Sequence, residues 1–189
     1  MGAVMHAPDT GHGLTDPVET GEVAPSIFTL RRVFAERLTE AHLPMLRRMD
    51  GNARMMACLG GVRTDGETKA WLERNLAHWD EHGFGIWILR DPVTGRVMGR
   101  AGLRHLPIDQ TPEVELAYAL LPEFWGRGLA TDAARACVTI GREWLGLRSL
   151  VALVRPDNLA SQRVLLKAAF VPERELIHER EPHVLFRTE

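Results

Sequence analysis

The sequence predicts a single-domain α/β protein built on a mixed sheet, and three observations carry that reading. The later half of the chain alternates strand-like and helix-like segments, in the order strand, helix, strand, helix, strand, starting at Glu113. Before it, Phe84 to Arg90 and Arg96 to His105 flank Asp91-Pro92-Val93-Thr94-Gly95, where Pro and Gly supply the geometry of a hairpin turn. No internal repeat or low-complexity tract interrupts the order.

Each element has its own signal. Residues 1–25 read as a flexible N-terminal arm, because they lack sustained apolar periodicity and are broken by Gly11, Gly13, Pro17, Gly21 and Pro25. The folded domain is expected over residues 26–189. Ile27 to Leu38 reads as a first strand, Glu40 to Arg48 and Asn52 to Leu59 as short helices, and Thr68 to Trp79 as a longer one with Thr64 and Asp65 as candidate caps. From Glu113 to Leu121, acidic and small residues (Glu113, Glu115, Ala117, Ala119) alternate with apolar ones (Val114, Leu116, Tyr118, Leu120), the period of a strand, which Pro122 ends. Between Leu129 and Leu145, apolar residues recur at three- and four-residue spacing (Leu129, Ala133, Ala136, Cys137, Ile140, Trp144), as on a helix with one buried face. Leu150 to Arg155 reads as the next strand, and a hairpin closes the chain.

Between the Glu113 strand and the Leu129 helix lies Trp125-Gly126-Arg127-Gly128-Leu129-Ala130-Thr131. Two glycines in three residues let the backbone turn tightly and approach a ligand, and the helix that follows opens with N–H groups that have no intrahelical acceptor. That combination attracts anions, although ordinary strand-to-helix turns use glycine too. No Lys follows Gly128 as a P-loop requires, and the third glycine of a dinucleotide fingerprint is missing. Nucleoside triphosphates, nicotinamide and flavin are therefore not expected.

These residues resemble the GNAT superfamily of N-acetyltransferases, in particular the branch that includes ribosomal-protein N-terminal acetyltransferases. Glu113-Val114-Glu115-Leu116-Ala117-Tyr118 looks like the family's fourth strand, and Trp125 to Ala130 like its pyrophosphate loop. Asn158-Leu159-Ala160-Ser161 through Lys167-Ala168-Ala169-Phe170 looks like its last helix-to-strand motif. The resemblance is sharpest over residues 85–172. It implies a mostly antiparallel, twisted central sheet with helices on both faces, and acetyl-coenzyme A as co-substrate without a metal. It also implies a cofactor-binding set of Ala119, Leu120, Leu121, Gly126, Arg127, Gly128, Leu129, Ala130, Thr131, Asn158, Ser161 and Lys167. Arg127, Arg135, Arg142, Arg148, Arg155, Arg163 and Lys167 outnumber Asp132, Glu143 and Asp157 in this region, a local field suited to a polyanionic cofactor.

Acetyl transfer to an amine needs a proton acceptor, since an ordinary amine is mostly protonated near pH 7. The resemblance points to Glu115, with Glu113 in reserve; both lie on one strand face with Ala117, opposite Tyr118. The family often supplies a Tyr acid two positions before the Lys of the last motif, where this chain has Leu165. Ser161 is the remaining candidate near the sulfur, with helix capping as its other reading. Tyr118 is expected to pack. Trp125 replaces the usual polar residue of the loop, and Ala169 occupies the family's common Gly position, which calls for backbone angles that accept a Cβ. The expected activity is acetyl transfer from acetyl-coenzyme A to a primary amine, with a non-catalytic acyl-coenzyme A sensor as the alternative.

Composition agrees with this class. A chain of 189 residues with 45% apolar and 25% charged residues suits one soluble domain. A net charge of −2 argues against non-specific nucleic-acid binding, and no apolar run reaches membrane-spanning length. Cys58 and Cys137 fit a reducing compartment, and the N-terminus lacks a signal-peptide pattern, so a cytoplasmic location is expected. Expected partners are acetyl-coenzyme A and an amine acceptor, not nucleic acid or membrane, with a homodimer left open. His78 and His82 are spaced to share a metal on a helix. With no third ligand at a persuasive spacing, they read as a solvated helix end. Trp71, Trp79 and Trp87 read as core.

Overall fold

The computed structural model describes residues 4–6 and 23–188. Nine strands among them form one sheet in the order β1-β2-β3-β4-β5-β6-β7-β9-β8. β1 (Val4–His6) runs parallel to β2 (Ile27–Leu30), so three residues of the expected arm join the sheet edge. The strand expected over Ile27 to Leu38 is two strands, β2 and β3 (Val33–Arg37), paired antiparallel around a turn at Arg31 and Arg32. β4 (Ile86–Arg90), β5 (Val97–Ile108) and β6 (Thr111–Leu120) continue as an antiparallel meander, with the β4–β5 turn at the predicted Asp91 to Gly95 segment. β7 (Val151–Val154) is parallel to β6, and β8 (Phe170–His178) and β9 (Glu181–Thr188) form the closing hairpin.

Helices α1 (Leu43–Asp50), α2 (Ala53–Met56) and α3 (Asp65–His82) precede β4. α3 starts where a capping box predicts: the Thr64 hydroxyl accepts from the Glu67 N–H, and the Glu67 carboxylate accepts from the Thr64 N–H. α4 (Leu129–Thr139) follows β6 and passes into a wider π turn over Ile140–Trp144, and α5 (Leu159–Lys167) lies between β7 and β8.

The helices cover both faces. On one face Arg100 of β5 meets the first helical group: its guanidinium lies 4.2 Å from the centre of the Trp71 ring and pairs with the fully buried Asp50 at 2.7 Å, off the hydrogen-bond axis. Burial pulls the Arg100 pKa down to about 10 against the upward pull of Asp50. Arg63 at 3.2 Å and the Thr68 hydroxyl at 3.3 Å complete the Asp50 shell, so α1 and α3 are tied to β5 by charge as well as by packing. On the opposite face α4 packs over β5 and β6, and Leu103, Leu116, Ala133 and Cys137 are all buried there. Trp71, Trp79 and Trp87 are buried as expected, with Trp87 edge-on to Trp79 and to Phe28.

Candidate active site

The site begins where the sheet fails to close. β6 and β7 run parallel yet pair at a single position, Glu115 with Val151. Past that point Leu116 to Leu120 and Ala152 to Val154 continue in the same direction with no further ladder between them, so the sheet is left open as a cleft toward the C-terminal ends of both strands. Alternation decides which backbone groups face it. The Leu121 N–H is spent on Met98 O, on the β5 side, and Ala119 shares that side. The groups aimed at the cleft therefore belong to Tyr118 and Leu120. Of the expected Ala119, Leu120 and Leu121, only Leu120 turns its backbone groups away from β5. The Trp125 indole donates to Leu120 O at 2.7 Å and so shapes the end of the cleft wall.

The glycine turn stands at the mouth of this cleft. Gly126 and Gly128 have φ of +72° and +76°, the left-handed region that a Cβ penalises, and Gly128 is the N-cap of α4. The first helical N–H with an intrahelical acceptor is that of Asp132, on Gly128 O at 3.0 Å, so the N–H groups of Leu129, Ala130 and Thr131 have no acceptor within the helix. Sequence reasoning missed the residue that braces this turn. Arg32, from the β2–β3 turn, donates to Arg127 O at 2.6 Å and pairs with Asp132 at 2.7 Å. It neutralises the acidic residue in the first turn of α4, which otherwise opposes an anion there. Arg127 is exposed, its guanidinium 5.7 Å from the Phe124 ring centre.

Glu115 sits at the branch point of the cleft, 6% exposed, with Arg104 Nε donating to its Oε2 at 2.6 Å. That carboxylate holds the Arg104 pKa above the usual arginine range. The reserve candidate Glu113 is gripped by both Nη atoms of Arg187, at 2.8 and 3.1 Å. Glu115 gives one oxygen to an arginine where Glu113 gives both, which separates the two candidates.

Across the cleft, the Tyr118 hydroxyl reaches α5. It lies 2.6 Å from Ser161 Oγ and donates to Ser161 O at 3.1 Å. Burial pushes its pKa up to about 12, so the phenol stays protonated at any physiological pH. Tyr118 packs against the core as expected, and its hydroxyl is also the partner of the predicted Ser161, a contact 43 residues apart in sequence that no local pattern announces. Asn158 caps α5 by accepting the Ser161 N–H at 3.1 Å, which places a capping role on Asn158 and frees the Ser161 hydroxyl for the cleft. Lys167 lies six residues further on, at the exposed far end of α5, where its carbonyl accepts from Arg135. Cys137 is fully buried and its thiol is pushed up to about 12, which removes it as a nucleophile.

The sequence also left His78 and His82 without a third neighbour. The structure supplies His105 from β5, and the three imidazoles each offer a ring nitrogen within 4.8 Å of the others.

Comparison with known proteins places this arrangement in a family. The acetyltransferase (GNAT) domain matches residues 32–171, and the chain belongs to that family. The uncharacterized protein YkkB of Bacillus subtilis is 31% identical over 113 residues, covering 60% of this chain and 66% of that relative, just under two thirds of its length. An acetyltransferase structure from Agrobacterium tumefaciens strain C58 superimposes with a TM-score of 0.76 at 24% identity, covering 95% of this chain and 99% of the other. A ribosomal L7/L12 α-N-protein acetyltransferase solved with coenzyme A has a TM-score of 0.69 at 18% identity, covering 88% and 96%. These two likenesses establish the fold.

Proposed function

We propose that this chain is an acetyl-coenzyme A-dependent N-acetyltransferase acting on a primary amine, either a protein N-terminus or a small-molecule amine, by direct attack in a ternary complex. The observation that carries the reading is the one-point β6–β7 ladder with the glycine turn and the α4 N-terminus at its mouth. A long, thin thioester with a pyrophosphate at its middle suits such a cleft: the backbone of Tyr118 and Leu120 faces an extended arm, and the N–H groups of Leu129 to Thr131 face phosphate oxygens. The coenzyme A held by a structural relative supports the same choice.

In this mechanism the neutral amine attacks the thioester carbonyl carbon, the C–N bond forms and the C–S bond breaks. Glu115 takes the amine proton through water, with Arg104 fixing the carboxylate by one oxygen. With the one Tyr118 proton shared between Ser161 O and Ser161 Oγ, the Ser161 proton is left to hydrogen-bond the departing thiolate. A phenol near 12 is too weak an acid to surrender its proton to a thiolate of ordinary basicity, so the pair stabilises the anion and solvent completes the protonation. The two free cysteines support action in a reducing compartment such as the cytoplasm.

The test is thiol release from acetyl-coenzyme A, followed with a chromogenic disulfide, in the presence of N-terminal peptides, polyamines and aminoglycosides. Release that depends on one amine class is expected and names the acceptor. Saturable acetyl-coenzyme A binding with no release from any amine overturns the enzyme reading in favour of a sensor.

A further inference from the structure

We propose that His78 and His82 at the end of α3, with His105 of β5, form a site for one divalent transition-metal ion of the zinc type, outside the cleft. His78 and His82 are spaced four residues apart on one helix face, with ring centres 4.5 Å apart, and the His105 ring centre lies 4.4 Å from that of His82 and 5.4 Å from that of His78. The three ring nitrogens within 4.8 Å must close to about 3.3 Å to share an ion with bonds of about 2.0 Å. His82 is half-buried and His105 exposed, so both rings have room to rotate inward.

The surroundings are those of an oriented ligand set. His78 Nδ1–H donates to Phe84 O at 2.8 Å, which fixes the tautomer and leaves the lone pair on Nε2. That lone pair now accepts the His105 backbone N–H at 2.9 Å; an ion replaces this hydrogen bond, and the exposed N–H passes to water. Phe84 walls the cluster, with ring centres 5.0 Å from His78 and 5.2 Å from His105. The Glu81 carboxylate, 3.7 Å from His82 Nε2, adds negative charge beside them. A bound ion would fasten the C-terminal end of α3 to β5, with a water as fourth ligand.

The experiment uses the full chain stripped with a chelator, then titrated with zinc and with nickel by calorimetry, with the thermal midpoint read in parallel. Binding of about one equivalent with a raised midpoint is expected, and His82→Ala or His105→Ala should each weaken it by about tenfold or more. Neither side chain carries the Phe84 or His78 backbone bonds, so both variants keep those bonds; an unchanged midpoint in chelator verifies the fold. The His178 and His183 pair, with ring centres 5.9 Å apart on the β8–β9 hairpin, is the control. No binding, or binding lost in His178→Ala/His183→Ala but kept in His82→Ala and His105→Ala, overturns the site.

Discussion

Tyr118 and Ser161 show what a single contact adds to the reading of a residue. Either hydroxyl alone is a weak donor; joined at 2.6 Å, they form a chain with one proton left for the cleft. Ser161→Ala is expected to lower kcat by about tenfold, the loss of one hydrogen bond to an anion, with little change in the KM for acetyl-coenzyme A. Tyr118→Phe should cost less, since Ser161 keeps its own proton. The double variant should be no worse than Ser161→Ala, because the two act through one bond. Steady-state kinetics of the three variants checks this, and additive losses would separate the residues. Strand alternation read from sequence correctly set Tyr118 on the face opposite Glu115. The partner was not legible, because it depends on where α5 docks.

At the scale of elements, the junction from α5 to β8 carries a cost that the sequence marks only faintly. Ala169 has φ of +65°, directly after the helix, in the left-handed region where a Cβ crowds the carbonyl oxygen. The alanine there does not reflect a relaxed backbone: the chain keeps the glycine-type turn and bears the strain. Ala169→Gly is expected to raise stability by about 1 kcal/mol, offset in part by the entropy a glycine loses on folding, and denaturant unfolding measures it. Helix α3 was legible because Thr64 and Glu67 form a capping box with a fixed three-residue spacing. The β2–β3 hairpin was not, because its turn uses Arg31 and Arg32 rather than Gly, Pro or Asn. Arg32 instead earns its position by bracing the α4 N-terminus, an interaction across 95 residues.

For the whole molecule, function follows from one interruption in an otherwise continuous sheet. Six antiparallel pairings hold the sheet together, and the parallel junction between β6 and β7, paired at one position, leaves room for a ligand to act as the missing strand. The sequence made the order of elements, the glycine turn and Glu115 visible, since each has a local signature. It left open the brace from Arg32, the Arg104 pairing of Glu115 and the third histidine, all of which depend on distant segments meeting.

The most direct test of the cleft is calorimetric titration of acetyl-coenzyme A into the wild-type chain and into Gly128→Ala, with circular dichroism confirming that both are folded. At Gly128 a Cβ meets a positive φ and stands 3.2 Å from Arg32 Nη2, so it strains the turn that presents the α4 N–H groups. Wild-type binding in about the micromolar range is expected, with a loss of about tenfold or more in the variant, for a cost of about 1–2 kcal/mol. Equal affinity in the two folded proteins, or no binding to either, would contradict it.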